Sequence, residues 1–116
     1  MDDRITWFLD FDGTIVDQKS HVLSKDYVLP SAVEFFTKKV KKDDIVIITT
    51  ARKKDHKSRI KKFMESNDFK CDMIICEISS GVRVLINDKK PDGTKTAYSY
   101  NVTRNEGIVI KELIWK

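Results

Sequence analysis

Two short apolar runs set the hydrophobic rhythm of the chain. Ile5 to Phe11 and Ile45 to Ile48 are each too short for an ordinary helix, rich in aromatic or β-branched residues and bounded by polar ones. This predicts strands, and the near absence of polar alternation predicts central strands covered on both faces. Val16 to Tyr27 is mixed and polar with no sustained period, and reads as an excursion from the tip of the first strand, with a small hairpin as one form it can take. Leu29-Pro30-Ser31 opens a first helix, in which Val33, Phe36 and Val40 recur at helical spacing with Ala32 alongside. Lys38-Lys39 and Lys41-Lys42 favour its carboxyl end, where cations suit the helix dipole, and Asp43-Asp44 breaks the pattern.

After the second run the period changes back to helical. Arg52 to Met64 predicts an amphipathic helix with Ile60, Phe63 and Met64 on one face and a basic exterior, ended by Ser66-Asn67-Asp68. Met73 to Cys76 predicts a third strand, Glu77 to Gly81 a turn, and Val82 to Ile86 a fourth strand that runs into Asn87-Asp88-Lys89-Lys90-Pro91-Asp92-Gly93. Ala97 to Val102 and Ile108 to Ile110 read as two strands or a loose hairpin, and Leu113, Ile114 and Trp115 form an apolar tail that suits either a subunit interface or packing onto the sheet. Strand, loop, helix, strand, helix, strand, strand is the order of a three-layer α/β sheet, mostly parallel, with right-handed crossovers.

Length and composition narrow the function classes. The 116 residues suit one domain, 1–116, with a real core and no room for a separate cap domain over a substrate. Hydrophobic residues at 41% and charged residues at 34% describe a globular chain, and no apolar stretch is long enough to span a bilayer. The start, Met1-Asp2-Asp3-Arg4, lacks the features of a signal peptide, so a cytoplasmic protein without membrane contact is expected. Cys71 and Cys76 are too few and too widely spaced for a zinc site, which leaves two reduced, mostly buried thiols. The net charge of +4 permits an anionic small-molecule substrate, and no feature calls for nucleic acid.

The chemistry concentrates at the strand tips. Asp10 and Asp12 stand two apart at the end of the first apolar run, so in extended geometry they point the same way, and like charges there call for a cation. An Asp-Gly turn closing a hairpin is the plainer alternative. The second run ends in Thr49-Thr50, then Ala51-Arg52, and the helix that follows offers its amino end to an anion. The fourth ends in Asn87-Asp88, with Asp92 explicable as part of a Pro-Asp-Gly turn. Sites in open parallel sheets form at the carboxyl ends of strands, so these tips predict one site. His21 lies in the excursion, as a titrating group or a merely solvated one.

Asp10-Phe11-Asp12-Gly13-Thr14 resembles the first motif of the haloacid dehalogenase superfamily, Asp-x-Asp-Gly-Thr/Val; Thr49-Thr50 with Arg52 resembles the second, and Asp88 with Asp92 the fourth, with Asn87 where Gly or Asp is usual. The resemblance implies a Rossmann-like, capless phosphatase fold and a magnesium-dependent phosphomonoester hydrolase. Asp10 is then the nucleophile that forms an aspartyl-phosphate, Asp12 the general acid and base, and Thr50 the phosphoryl-oxygen donor. Gly13, Thr14, Thr49 and Arg52 border the substrate, and Asp10, Asp12 (through its carbonyl) and Asp88 hold Mg2+. The third-motif lysine is missing from Glu77 to Gly81, and Lys90 is the candidate replacement. Capless members imply either a large substrate or a cover from a neighbouring subunit. The nearest implied role is an oligomeric sugar-phosphate phosphatase of surface-polysaccharide synthesis; a phosphatase of polynucleotide ends or phosphoproteins, and a non-catalytic scaffold, are the alternatives.

Overall fold

The computed structural model describes residues 2–22 and 25–113. Strands β1 (Thr6–Asp10), β2 (Ile45–Thr49) and β3 (Met73–Ile75) form a parallel sheet in the order β1-β2-β3. Trp7 lies beside Val46, and Leu9 beside Ile48, which in turn lies beside Ile74. Helix α1 (Pro30–Lys38) connects β1 to β2, and α2 (Lys57–Ser66) connects β2 to β3. Both crossovers step the same way along the sheet; crossovers of this kind are right-handed, which puts both helices on one face. The result is an α/β domain with a three-stranded parallel sheet and two helices. No helix among the described residues is long and apolar enough to cross a membrane.

The core lies between that face and the helices. Trp7, Leu9, Val46, Ile48 and Ile74 meet Ala32 and Phe35 of α1 and Ile60 and Met64 of α2. A chain of ring contacts runs through it, from Trp7 to Phe35, Phe36, Phe69, Phe63 and Phe11, most edge-on, with Phe36 and Phe69 stacked 4.4 Å apart. The other face is not covered as the apolar runs predict. Phe8 is 54% and Met73 53% exposed, so burial along β1 alternates although its hydrophobicity does not.

Three other expectations change. The buried stripe of α1 runs through Ala32 and Phe35, with Phe36 and Val40 partly buried, while Val33 is exposed; the Phe35 ring, larger than Val33, packs edge-on against Trp7 and sets the helix rotation. The second helix begins later than Arg52, after a single 3-10 turn, Lys54–His56, so that Arg52 belongs to the loop. The fourth strand, Val82 to Ile86, does not form, nor do the strands at 97–102 and 108–110; a 3-10 turn, Ile110–Glu112, follows instead, and Leu113 packs partly buried on the core. Strand preference is realised only by pairing. Here Glu77 N donates to Arg52 O and Ile78 N to Thr50 O, which draws the chain after β3 along the loop beyond β2, over the carboxyl end of the sheet, and away from the free edge of β1. Val82 and Ile86 are left 92% and 90% exposed. Ile114 and Trp115 lie outside the described residues. Cys71 and Cys76 are both free and half-buried, and burial pushes both thiols up.

Asp44, part of the pair that breaks the first helical pattern, anchors the amino end of β1. Its carboxylate is 2% exposed and accepts from Ile5 N (3.1 Å), Trp7 Nε1 (3.0 Å) and Lys41 N (3.0 Å). Burial pushes this carboxyl up, but the three donors outweigh burial and hold it below its ordinary value. A carboxyl lowered by folding stabilises above its unfolded value, and that contribution fades as the pH falls through the folded value. Asp44→Asn turns an amide N–H toward at least one donor and is expected to lower the unfolding free energy by about 1–3 kcal/mol at pH 7. Urea denaturation of both proteins checks this: the gap is full at neutral pH and narrows as the pH is taken below 3.8, the ordinary carboxyl value.

Candidate functional site

A cleft of about 480 Å³ opens at the carboxyl ends of β1 and β2, where parallel sheets place their sites. Its floor follows from the alternation of β1. Phe11 turns inward and is fully buried, so Asp10 and Asp12 turn toward the cleft, Asp10 with its side chain 42% exposed and Asp12 with 16%. The chain then closes on itself. The amides of Thr14, Ile15 and Val16 all donate to Phe11 O, and Gly13 N donates to Val16 O at 2.7 Å. Gly13 takes φ +83°, the left-handed region that a glycine enters without strain. The turn sets the Thr14 hydroxyl 3.5 Å from Asp10 Oδ2.

Arg52 locks the second carboxylate. Its guanidinium is 3% exposed, donates through Nε (3.0 Å) and Nη2 (2.7 Å) to the two oxygens of Asp12, and lies over the Phe11 ring. Nη2 also reaches Asp26 at 2.8 Å, and Asp26 accepts in turn from Arg59 of α2. Arg59 donates further to Ser20 O, so one network joins the loop after β1, Ser20 and Asp26 of the excursion, and α2. Arg52 Nη1 is buried with no hydrogen-bond partner among the described residues. Burial alone would lower the Arg52 pKa, but Asp12 and Asp26 raise it above its ordinary value.

Asp10 has a looser partner, Arg83 Nη2, 3.7 Å from Oδ1. Burial pushes the Asp10 carboxyl up, against the pull of Arg83 and with some repulsion from Asp12. The far wall comes from Val102, expected to end a strand, and from 103–107, the stretch between the two apolar runs, which forms a turn. Asn105 N donates to Gly13 O (2.8 Å), and Asn105 Oδ1 accepts from Gln18 N (2.7 Å), which seats Arg104 over Gly13 and into the cleft.

Of the residues singled out in the chain, Asp10, Asp12, Gly13, Thr14, Thr50 and Arg52 line this one cleft. Thr49 does not; its hydroxyl donates back to Leu9 O inside the sheet. Asp88 and Lys90 do not line it either. They sit in an exposed turn closed by Lys90 N donating to Thr94 O and by the Thr96 hydroxyl donating to Asp88 O. The strand expected before them does not form, so they are not set beside the tips of β1 and β2. His21 lies in a 3-10 turn, Gln18–Val22. Arg83, Arg104, Gln18 and Asp26 are the site residues that the motif pattern missed. Arg83 carried one legible signal, a lone charge within an apolar run.

Fold and site together define an α/β domain with a carboxylate and guanidinium cleft at the carboxyl edge of a parallel sheet. Comparison with family models, with curated proteins and with solved structures finds no match to this chain.

The wall carrying Arg104 depends on Gly107, at φ +73°, where a Cβ would meet Thr14 O at 2.7 Å and collide with Ser31 Oγ. Gly93, at φ +90°, has nothing within 4 Å of such an atom. Gly93→Ala is expected to cost only the left-handed backbone penalty, about 1–2 kcal/mol, and Gly107→Ala clearly more. Denaturant unfolding of the two variants measures the difference, and proteolysis within 102–107 reports whether the wall has lifted.

Proposed function

We propose that this protein is a magnesium-dependent phosphomonoester hydrolase of the haloacid dehalogenase type, acting through an aspartyl-phosphate. The observation that carries the reading is the difference between the two carboxylates: Asp10 is open to the cleft beside Arg83, and Asp12 is held through both of its oxygens by Arg52. A nucleophile must be reachable, and a proton shuttle must be fixed in place.

In this reading Asp10 Oδ attacks phosphorus while the bond from phosphorus to the leaving oxygen breaks, and Asp12 gives that oxygen its proton. A water then attacks the phosphoryl group, yields a proton to Asp12, and the bond to Asp10 breaks to release inorganic phosphate. Arg83 and the Thr50 hydroxyl offer charge and a donor to the equatorial oxygens. No three metal-binding side chains converge among the described residues. Mg2+ needs only one or two carboxylates beside its waters and a substrate oxygen, so the Asp10 carboxylate and the Asp12 carbonyl are the donors that would hold it. When bound, it neutralises repulsion between Asp10 and the phosphate dianion.

The rest of the reading is coarser. The substrate is a small phosphate ester such as a sugar phosphate of surface-polysaccharide synthesis, and the setting is cytoplasmic. A three-layer Rossmann-like fold needs a cover on the bare face of the sheet as well, and a second copy of the chain is the natural cover for that face and for the open cleft. The exposed apolar residues of Val82 to Ile86 and of the bare sheet face support this, since parallel sheets are buried on both faces. The competing reading, a non-catalytic binding domain, draws on one observation: Asp88 and Lys90 line no part of the cleft.

Asp10→Asn is expected to lose at least about a thousandfold in turnover of p-nitrophenyl phosphate with its fold intact. Arg83→Ala is expected to lose about a hundredfold, the scale of one preorganised charge, whereas Lys90→Ala loses little. The reverse order would return the clamp to Lys90, and a parent with no turnover on any phosphate ester, with or without magnesium, would leave the binding-domain reading. For the assembly, the double change Val84→Glu with Ile86→Glu is expected to shift the parent from a multimer to the monomer mass in light scattering.

A further inference from the structure

The cleft holds more positive charge than a phosphoryl group with its cation needs. Arg52 is spent on Asp12 and Asp26, and Arg59 on Asp26. Arg83 stands beside Asp10. Arg104 lines the same cleft and makes no hydrogen bond or ion pair among the described residues. The cleft is lined by two carboxylates, Asp10 and Asp12, and three guanidiniums, Arg52, Arg83 and Arg104, and the Asp26–Arg59 pair outside its lining is neutral, so one positive charge is left over. A phosphate dianion and a divalent cation cancel each other, so binding the reacting group leaves that surplus in place.

Its location is built. Asn105 is held between the amide of Gln18 and the carbonyl of Gly13, which fixes the backbone that carries the exposed Arg104 side chain beside Gly13, and Gly107 lets the turn come within contact of Thr14. Asn105 itself takes φ +67°, a conformation that costs free energy and persists where the surroundings enforce it. A planar guanidinium presented on such a turn suits a carboxylate or a phosphate, which it can bind through two parallel hydrogen bonds.

We propose that Arg104 forms a second anion subsite, and that the preferred substrate is a phosphate monoester whose alcohol half bears a further anionic group, a carboxylate or a second phosphate. This rests on the hydrolase reading for the word substrate, but the subsite stands on the cleft's charge and geometry. Arg83 binds the reacting phosphoryl group, and Arg104 binds the far end of the molecule.

The test compares glucose 6-phosphate, 6-phosphogluconate and fructose 1,6-bisphosphate, which separate a neutral alcohol half from a carboxylate and from a second phosphate. The parent is expected to show a KM at least about tenfold lower for one or both of the acidic esters, with the preference falling as salt rises. Arg104→Gln, which keeps much of the side chain's packing, is expected to remove that preference by raising KM for the acidic esters far more than for the neutral one, with Arg104→Lys restoring part of it. Equal KM values for the three esters in the parent, or equal losses on all three in Arg104→Gln, overturn the proposal. Calorimetric binding of 6-phosphogluconate against inorganic phosphate separates the two readings. If nothing is turned over, tighter binding of 6-phosphogluconate that collapses in Arg104→Gln keeps the subsite while the hydrolase reading fails; equal binding of the two ligands removes both.

Discussion

The Arg52 guanidinium is the part on which the site depends. It comes from the loop after β2, lies almost wholly buried, and holds Asp12 from one side and Asp26 from the other. Removing one partner from a buried ion pair leaves a charge without compensation and costs about 3–5 kcal/mol, so this network keeps the loop after β1, Ser20 and Asp26 of the excursion, and α2 in register. It also compensates the buried charge of Asp12, so that only part of its repulsion reaches Asp10. Asp10, by contrast, has one partner at 3.7 Å and a hydroxyl at 3.5 Å, and burial raises its pKa. One carboxylate is fixed and the other available, and the difference comes from the number of donors each one meets.

The same economy appears in the backbone. Asp44 pins the start of β1 through three donors, and Phe11 pins its end by burying a ring that touches both Phe63 and the Arg52 guanidinium. Between these points Trp7 and Leu9 are committed to the core, so Asp10 and Asp12 are committed to the opposite side by the period of the strand. The helices cover only the core side, and among the described residues Phe8, Met73 and Ile75 on the other face, and Val82 to Ile86, remain exposed apolar surface.

The amino-acid pattern alone determined the three strands of the sheet, the two helices between them and the convergence of the first two strand tips on one cleft. These are local or nearly local properties: short apolar runs, helical spacing of Ile60, Phe63 and Met64, and a glycine where the turn after Asp12 needs a positive φ. Tertiary structure decided the rest. Whether an apolar run pairs depends on where the preceding turn sends it, and the hydrogen bonds from Glu77 and Ile78 send Val82 to Ile86 over the cleft instead of to the edge of β1. This removes Asp88 and Lys90 from the site and brings in Arg83 and Arg104, whose separation from Asp10 along the chain hides them from any spacing rule. The excursion's Asp26 and the turn's Asn105 likewise acquire their roles only through partners far away in sequence, Arg52 and Gln18. A period can place a side chain on a face, but a charge gains its function from the groups that folding sets around it.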